Sequence, residues 1–472
     1  MIGKILKISL IRDLKNYLSV AIIVRIIALF LMPIYFRMIS IDTYGKLVIF
    51  DSFLSIIGTI VTLGMNNSII IYLNEHREKI GSFLYTQRKF IFITFIPIAL
   101  FCLLFSNIIF KPLGVDFITL VMILVTLLPT NLGIAYIAYI YADKRSFEKS
   151  MIDLVTGILK YILPISVILI FSHGVYFKIL VTIAATAWVL YGYIHHRLKK
   201  IEVKKFDVEQ LKYSIAFGLP LVPNTLSTIL LFQVDRIIIN QFCGMEKAGI
   251  YSFANTVATL YYQIIPIILF SLSPYIFDYI FKKKVELYSN IFKVMSVLCG
   301  IGAILTIIFD KYLILIFGAS KYLSALEMIP LLSLNSMLVI NILFFSILFR
   351  AIKKTYIISL TTIVGGIANI ILNYALIPHY GYQMAVETTF VSFAIVLVLN
   401  FIFAKFYKLE VKFFYENITV MIILVGVILI VEKFIKVELL KDFIESIFII
   451  ILLGYLGFYA RKVIVKFKSK QI

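Results

Sequence analysis

The sequence contains few charged residues and few cysteines for its length. Asp, Glu, Lys and Arg make up only 15% of its 472 residues, and there are three cysteines. Cys102, Cys243 and Cys299 are far apart, which is typical neither of a disulfide framework nor of a metal-ligand cluster. The histidines also lack metal-ligand spacing. The sequence therefore predicts no metal site and no cofactor.

The sequence also lacks the motifs of common catalytic sites. It contains no P-loop, no glycine-rich dinucleotide fingerprint and no nucleophile elbow. The polar segments are too short to form a nucleotide-binding domain. The longest outer loop, near Asp310–Leu326, is short for the catalytic part of a glycan polymerase. These absences exclude an ATP-driven pump within one chain and argue against an enzyme.

Long apolar segments occupy almost the whole chain. Hydrophobic residues make up 62% of the sequence, and its mean hydropathy is +1.02. A helix needs about 20 apolar residues to cross a bilayer, and about fourteen segments meet this requirement. Because they are continuously apolar rather than alternating, they predict helices and not barrel strands. The predicted spans are 18–38, 47–73, 89–110, 117–142, 151–172, 178–196, 213–241, 249–281, 287–309, 327–350, 355–377, 383–404, 414–431 and 443–460.

The positive charge follows the predicted topology. The formal net charge is +20, and most of the Lys and Arg residues fall in alternate loops. Basic loops stay in the cytoplasm, so we expect both termini to be cytoplasmic. The charge then marks orientation and attraction to anionic membrane lipid rather than a nucleic-acid partner.

The longest polar segment divides the chain into two halves. It covers residues 197–212 and predicts a cytoplasmic linker. An amino-terminal lobe of six spans would occupy 1–196, and a carboxy-terminal lobe of six spans would occupy 213–404. Residues 405–472 would add spans 13 and 14 and a basic tail.

A weak internal repeat supports this division. The segments Ile41–Leu54 and Met245–Ala258 align without gaps, and the alignment pairs Gly45 with Gly249. Each segment combines a tight turn with a helix that carries a polar stripe. An even number of spans in each half gives the two halves the same orientation, as in some transporters.

Polar residues recur at helical spacing within several predicted spans. The positions of interest are Asp51 and Asn66 in span 2, Asn255 in span 8, and Asn369 and Asn373 in span 11. Spacings of three and four residues place such groups on one helical face. Two interpretations remain open, because polar groups in spans either join helices by hydrogen bonds or contact a ligand.

Basic residues inside the spans are more informative, because each costs roughly 2.5–3.5 kcal/mol at a helix centre. Arg25 lies about two turns inside span 1 and predicts either a carboxylate partner or a wet cavity that accepts an anion. Lys160 in span 5 is likewise predicted either to line a cavity or to pair with Asp153, which lies on the same face two turns away. Arg236 in span 7 adjoins Asp235. Because adjacent side chains of a helix point in different directions, we expect the two residues to have separate partners.

Three segments resemble bacterial polysaccharide flippases. Gly218–Leu260 contains GLP, then VDR, and then an acidic-x-x-Gly-x-Tyr turn. Arg37–Met65 and Asn369–Phe393 are similar to the corresponding family segments. The resemblance covers essentially the whole chain and points to the O-antigen and repeat-unit translocases of the multidrug/oligosaccharidyl-lipid/polysaccharide exporter superfamily.

The resemblance implies a fold and a substrate class. The fold would be an all-α polytopic membrane protein with two six-helix lobes around a central cavity and two extra carboxy-terminal helices. The substrate would be a polyprenyl diphosphate carrying an oligosaccharide repeat unit, which crosses the bacterial inner membrane by alternating access. The product would be O-antigen for lipopolysaccharide, or another polysaccharide. Expected partners are the lipid-linked substrate, membrane lipid, a polysaccharide polymerase and chain-length proteins.

The resemblance also implies roles for residues. Cationic groups in the cavity would hold the diphosphate, because guanidinium and ammonium groups make strong charge-assisted bonds to phosphate. Arg25 fits this role best, and Arg236 is a lesser candidate. The remaining predicted substrate-binding residues are Lys160, Asp51, Asn66, Asn255, Asn369 and Asn373.

Three alternatives remain. A multidrug exporter of the same superfamily would have twelve spans and acidic residues in its first lobe, whereas span 1 carries Arg25 and no carboxylate. A peptidoglycan-precursor lipid flippase is closer in chemistry. A membrane enzyme such as a glycan polymerase conflicts with the short outer loops.

Overall fold

A computed structural model describes residues 23–415, apart from 144, 172, 283, 410, 412 and 413. The described part is helical throughout and contains no strand. Ten of its helical segments are long and apolar enough to cross a membrane. The prediction of an all-α, multi-pass membrane protein is therefore confirmed. Predicted spans 13 and 14 lie outside the described residues.

The helices follow one another with short connections. In chain order they are α1 (23–38), α2 (Ile41–Thr62), α3 (Ile69–Glu75), α4 (Ile80–Leu104), α5 (Phe117–Ala142), α6 (Ser146–Ile170), α7 (Val175–Leu198), α8 (Val208–Gly218), α9 (Val222–Cys243), α10 (Met245–Ala258), α11 (Ile265–Phe281), α12 (Val285–Ile308), α13 (Asp310–Phe317), α14 (Ile329–Ala351), α15 (Tyr356–Tyr380) and α16 (Met384–Phe406).

Predicted span 2 is not one continuous helix. α2 begins at Ser40, whose hydroxyl accepts a hydrogen bond from the backbone N–H of Thr43. It ends at Thr62, because Leu63 and Gly64 adopt the left-handed conformation with φ of 47° and 65°. A short 3₁₀ segment then leads into α3. The helix of predicted span 2 therefore ends eleven residues before the predicted boundary at residue 73.

Predicted spans 7 and 8 are also divided. A 3₁₀ turn over Leu219–Leu221 separates α8 from α9. Pro220 and Pro223 lie at this junction and lack the backbone N–H that a continuous helix needs. A second 3₁₀ turn, Tyr262–Ile264, separates α10 from α11.

The chain divides into two compact units, Met1–Gly249 and Ile250–Ile472. In the first unit, the core includes the stacked rings of Tyr72 and Phe83, whose centroids are 3.7 Å apart. In the second unit, α14 is the most buried of the candidate spans, with 78% of its apolar window inside the protein. The lobe boundaries at 196 and 213 stay predictions.

Part of the predicted linker is packed against α4. Arg88 Nε donates to Glu202 Oε1 at 2.8 Å, and Gln87 Nε2 donates to Ser214 Oγ at 3.0 Å. Gln87 and Ser214 are fully buried. Because these bonds tie α4 to the segment that precedes α9, α8 and α9 belong to the first compact unit.

The two glycines paired by the internal repeat contact each other. A Cβ atom on Gly45 would lie 2.1 Å from the Met245 carbonyl oxygen, and one on Gly249 would lie 2.4 Å from the Ile41 carbonyl oxygen. The two contacts are reciprocal, since Ile41 and Met245 are themselves paired by the repeat. Only glycine allows the backbones to approach this closely.

We expect Gly45→Ala and Gly249→Ala each to destabilise the protein by about 1–3 kcal/mol, because the added methyl group meets a backbone carbonyl that cannot rotate away. Gly192→Ala is the matched control, since a Cβ atom at Gly192 in α7 meets no atom within 4 Å. Thermal unfolding in detergent measures the difference. Equal melting temperatures for the three variants would contradict the close contact.

Candidate functional site

A cavity of about 330 Å³ lies among α2, α5, α6 and α7 in the first unit. Asp51 of α2 and Lys160 of α6 both line it, together with Tyr35 of α1. Threonine hydroxyls add polar character on the other walls, at Thr126, Thr130, Thr156 and Thr186. The cavity thus has an apolar frame with two opposite charges inside membrane-spanning helices.

Lys160 and Asp51 line the same cavity, one on α6 and the other on α2. In the part of the chain that the structure describes, the ion pairs within 4 Å include neither residue. Both side chains are exposed, and the surface that they share is the cavity. Lys160 is therefore a cation that the cavity can present to an anion.

The alternative pairing of Lys160 with Asp153 is not formed. Asp153 Oδ2 instead accepts a hydrogen bond from Lys149 Nζ at 2.5 Å, one turn earlier in α6. Because Asp153 pairs with Lys149, Lys160 lines the cavity without an ion pair to Asp153.

Arg25 lies on the face of α1 that turns toward the protein. Ala28, Met32 and Tyr35 follow it at helical spacing and are buried, and Tyr35 lines the cavity. Arg25 itself is exposed and is not among the residues that line the cavity. Next to it, Val24 packs tightly against Gly157 of α6. The contact of α1 with α6 therefore lies next to Arg25 and three residues before Lys160.

A second cavity, of about 630 Å³, continues the first along α2. Leu54, Thr130 and Ile137 line both cavities. The polar groups that line the second cavity come from four helices, α2, α5, α6 and α9: Ser55, Thr59, Thr62, Thr130, Asn131, Tyr141, Lys149 and Thr225, with Asn66 and Asn67 just beyond α2. The polar stripe of predicted span 2 thus runs from the charged cavity into a cavity whose polar groups are mainly hydroxyls and amides.

Two amide groups of this second cavity have unused hydrogen-bonding capacity. Within the described residues, Asn66 Oδ1 and Asn131 Nδ2 are buried and have no hydrogen-bond partner. An unpaired buried amide is costly, so such a pair of one acceptor and one donor is suited to a polar ligand. Asn131 was not among the sequence candidates. The signal for it was the polar run TLLPTN inside the otherwise apolar span 4.

Asn369 and Asn373 have a different environment. Both are fully buried in α15. Asn373 Nδ2 donates to Asn369 Oδ1 at 3.1 Å, and Asn369 Nδ2 donates to Thr389 Oγ1 of α16 at 3.4 Å. Thr388 of α16 donates to Asn373. These amides join α15 to α16 in this conformation, and their contact with sugars stays a prediction.

Arg236 and Asn255 lie apart from the two cavities. Arg236 in α9 is half-buried, and its Nε atom is buried without a hydrogen-bond partner in the described part of the chain. Asn255 in α10 is half-buried and belongs to the second unit. Of the predicted site residues, Asp51 and Lys160 therefore line the first cavity and Asn66 lines the second, whereas Arg25 and Arg236 line neither.

Comparison with known protein sequences identifies a family. The polysaccharide biosynthesis protein family matches residues 10–280, more than half of the chain. An uncharacterized membrane protein of Methanocaldococcus jannaschii is 28% identical over 302 residues. That match covers 60% of this chain and spans 58% of the relative's length.

Comparison with solved structures identifies the fold. The lipid II flippase MurJ, in an inward closed conformation, superposes with a TM-score of 0.72 and 16% sequence identity over 95% of this chain and 99% of that chain. An inward-facing multidrug resistance MATE family transporter of the MOP superfamily superposes with a TM-score of 0.64 and 14% identity, over 84% of this chain and 98% of that chain. These matches confirm the superfamily fold that the sequence resemblance implied. The chain therefore belongs to the polysaccharide biosynthesis protein family and has the fold of the MOP superfamily.

Proposed function

We propose that this protein flips a polyprenyl diphosphate carrying an oligosaccharide repeat unit across the bacterial inner membrane. The observation that carries the proposal is Lys160, a cation that lines a cavity among membrane-spanning helices and forms no ion pair with a carboxylate of the described residues. A positive charge in a low-dielectric setting attracts an anion strongly. A membrane protein of a polysaccharide biosynthesis family meets that anion as the diphosphate of its lipid-linked intermediate.

In this proposal, Lys160 and Arg25 hold the diphosphate between them. Lys160 lines the cavity, and Arg25 adjoins the contact of α1 with α6. A bound diphosphate would make charge-assisted hydrogen bonds to both cations. Asp51 lines the same cavity and would compete with the diphosphate for Lys160 when the substrate leaves.

The sugars would occupy the polar cavity that adjoins the charged one. Its Asn66 and Asn131 amides supply an unused acceptor and an unused donor, and threonine hydroxyls surround them. The two cavities have volumes of about 330 and 630 Å³, within the range of about 300–1,000 Å³ that is usual for small-ligand pockets. The shared wall would place the first sugar next to the diphosphate, as the covalent structure of the substrate requires.

The other predicted residues receive roles outside this first site. Asn369 and Asn373 stabilise the pairing of α15 with α16. Asn255 and Arg236 would contact substrate at another step of the alternating-access cycle. The transporter would be organised as lobes at 1–196 and 213–404, with both termini in the cytoplasm. Its product would pass to a polysaccharide polymerase and chain-length proteins, for O-antigen or another surface polymer.

A second candidate, a peptidoglycan-precursor lipid flippase, is favoured by the superposition on the lipid II flippase MurJ. Such a flippase would use the same cation site to bind a diphosphate, and its substrate would differ in the sugars that occupy the polar cavity. A multidrug exporter is favoured by the Asp51 carboxylate in the cavity, which could take a cationic compound. The neighbouring Lys160 and Arg25 would oppose such a compound by repulsion.

We expect Arg25→Ala and Lys160→Ala each to abolish surface polysaccharide without lowering the amount of protein in the membrane. Arg25→Lys should keep part of the activity, because it retains the charge but not the bidentate geometry. Lys46→Ala is the control, since Lys46 is an exposed α2 lysine paired with Asp42. Immunoblots of surface glycan and of membrane protein measure both quantities. Normal glycan in the Arg25 and Lys160 variants would refute the diphosphate site.

We expect a deletion strain to lose surface polysaccharide while its resistance to cationic dyes stays unchanged. We also expect the gene not to support growth of cells depleted of their lipid II flippase. Susceptibility assays and a depletion-complementation assay check these results. Dye hypersensitivity would support the exporter instead, and restored growth would support the peptidoglycan-precursor flippase.

A further inference from the structure

An apolar groove follows the seam between α6 and α7 on the first unit. Its volume is about 890 Å³, and its walls are mainly aliphatic side chains such as Val155, Leu159 and Leu163 of α6 and Val189 of α7. Val189 is 76% exposed and Val155 is 48% exposed, so the groove is open along its length. Both helices are long and apolar enough to cross a membrane, so this open side would face hydrocarbon.

The groove and the charged cavity are separated by a single layer of side chains. The residues that line both spaces are Thr156, Leu159 and Leu163 of α6 and Thr186 and Leu190 of α7. Lys160 follows Leu159 directly and faces the cavity side. A lipid whose chain lay in the groove would therefore have its polar end within one side-chain layer of the Lys160 ammonium group.

One end of the groove carries positive charge. The Glu148 carboxylate accepts hydrogen bonds from Arg197 Nε at 3.1 Å and from Tyr136, and it forms an ion pair with Arg145. Two guanidinium groups on one carboxylate leave a net positive charge at this end. Arg197 and Glu148 line the groove themselves. The groove thus combines an apolar channel with a cationic end, which is complementary to an anionic lipid with a long hydrocarbon chain.

From this continuity we propose that the α6–α7 groove binds the hydrocarbon chain of the phosphorylated lipid substrate, and that the seam is the side passage through which its phosphate reaches Lys160. The identity of the lipid rests on the proposed function. The separation of the two ends of the lipid follows from their chemistry, because a hydrocarbon chain is stable in the apolar groove, whereas a phosphate is stable only beside positive charge, which the cationic end of the groove and the cavity supply. Leu159, Leu163 and Leu190 would move apart so that the bond joining the hydrocarbon chain to the phosphate can pass between these three side chains.

Photolabelling tests the groove directly. The probe is a polyprenyl monophosphate with a photoreactive group in its chain, added to the full-length protein in nanodiscs, and labelled peptides are identified by mass spectrometry. We expect labels on the groove-lining residues of α6 and α7. Val189→Trp should fill the groove and lower this labelling by about tenfold, the loss expected when about two methylene groups are excluded.

Val181→Trp is the matched control, because Val181 is an exposed valine of the same helix that does not line the groove. It should label like the wild type and unfold at the same temperature as Val189→Trp. Unlabelled polyprenyl phosphate should compete with the probe, whereas phosphatidylglycerol should not. Equal competition by phosphatidylglycerol would overturn the proposal, since the groove would then hold ordinary lipid.

A separate flipping assay in liposomes distinguishes this proposal from the proposed function. Flipping of a polyprenyl diphosphate sugar by the wild type, with labels outside α6 and α7 or with no effect of Val189→Trp, would overturn the groove and leave the flippase in place. Groove labelling that Val189→Trp removes supports the chain site even if the sugar-linked lipid is not flipped, and in that case the proposed function alone fails.

Discussion

A positive charge inside membrane-spanning helices requires a polar partner, and this requirement determines how the first unit is built. A lysine at the centre of a membrane-spanning helix costs roughly 2.5–3.5 kcal/mol or more. α2 supplies Asp51, and α5, α6 and α7 supply threonine hydroxyls around the same cavity. The Asp51 carboxylate lines the same cavity and forms no ion pair with Lys160 in the described part of the chain, so the ammonium group is available to an anion.

The packing around the cavity keeps its helices at fixed positions. Gly45 and Gly249 allow two backbones to touch near the start of α2, and Gly157 receives Val24 of α1. Buried hydrogen bonds from Gln87 attach α4 to α8. These contacts hold the helices on several sides, whereas the α6–α7 seam is only one side-chain layer thick. At this wall the charged cavity and the open apolar groove share their lining residues.

The sequence predicted the α2 face correctly, because residues three and four apart share a side of a helix whatever surrounds it. It could not predict which polar residues would meet a ligand. Asn66 lines a cavity with an unused acceptor, whereas Asn369 bonds within the α15–α16 pair, and only the neighbouring helix makes the difference. The choice between Asp153 and the cavity for Lys160 was likewise decided by Lys149, one turn away. The break after α2 depends on two left-handed residues, of which only the glycine gave a signal.

The most direct measurement is an electron cryo-microscopy structure of the full-length protein with a bound polyprenyl diphosphate sugar. Our account predicts phosphate oxygens about 3 Å from Lys160 Nζ, the distance of a charge-assisted hydrogen bond, with the sugar toward Asn66 and Asn131. A structure in which Lys160 closes onto Asp51 while the diphosphate binds elsewhere would contradict it.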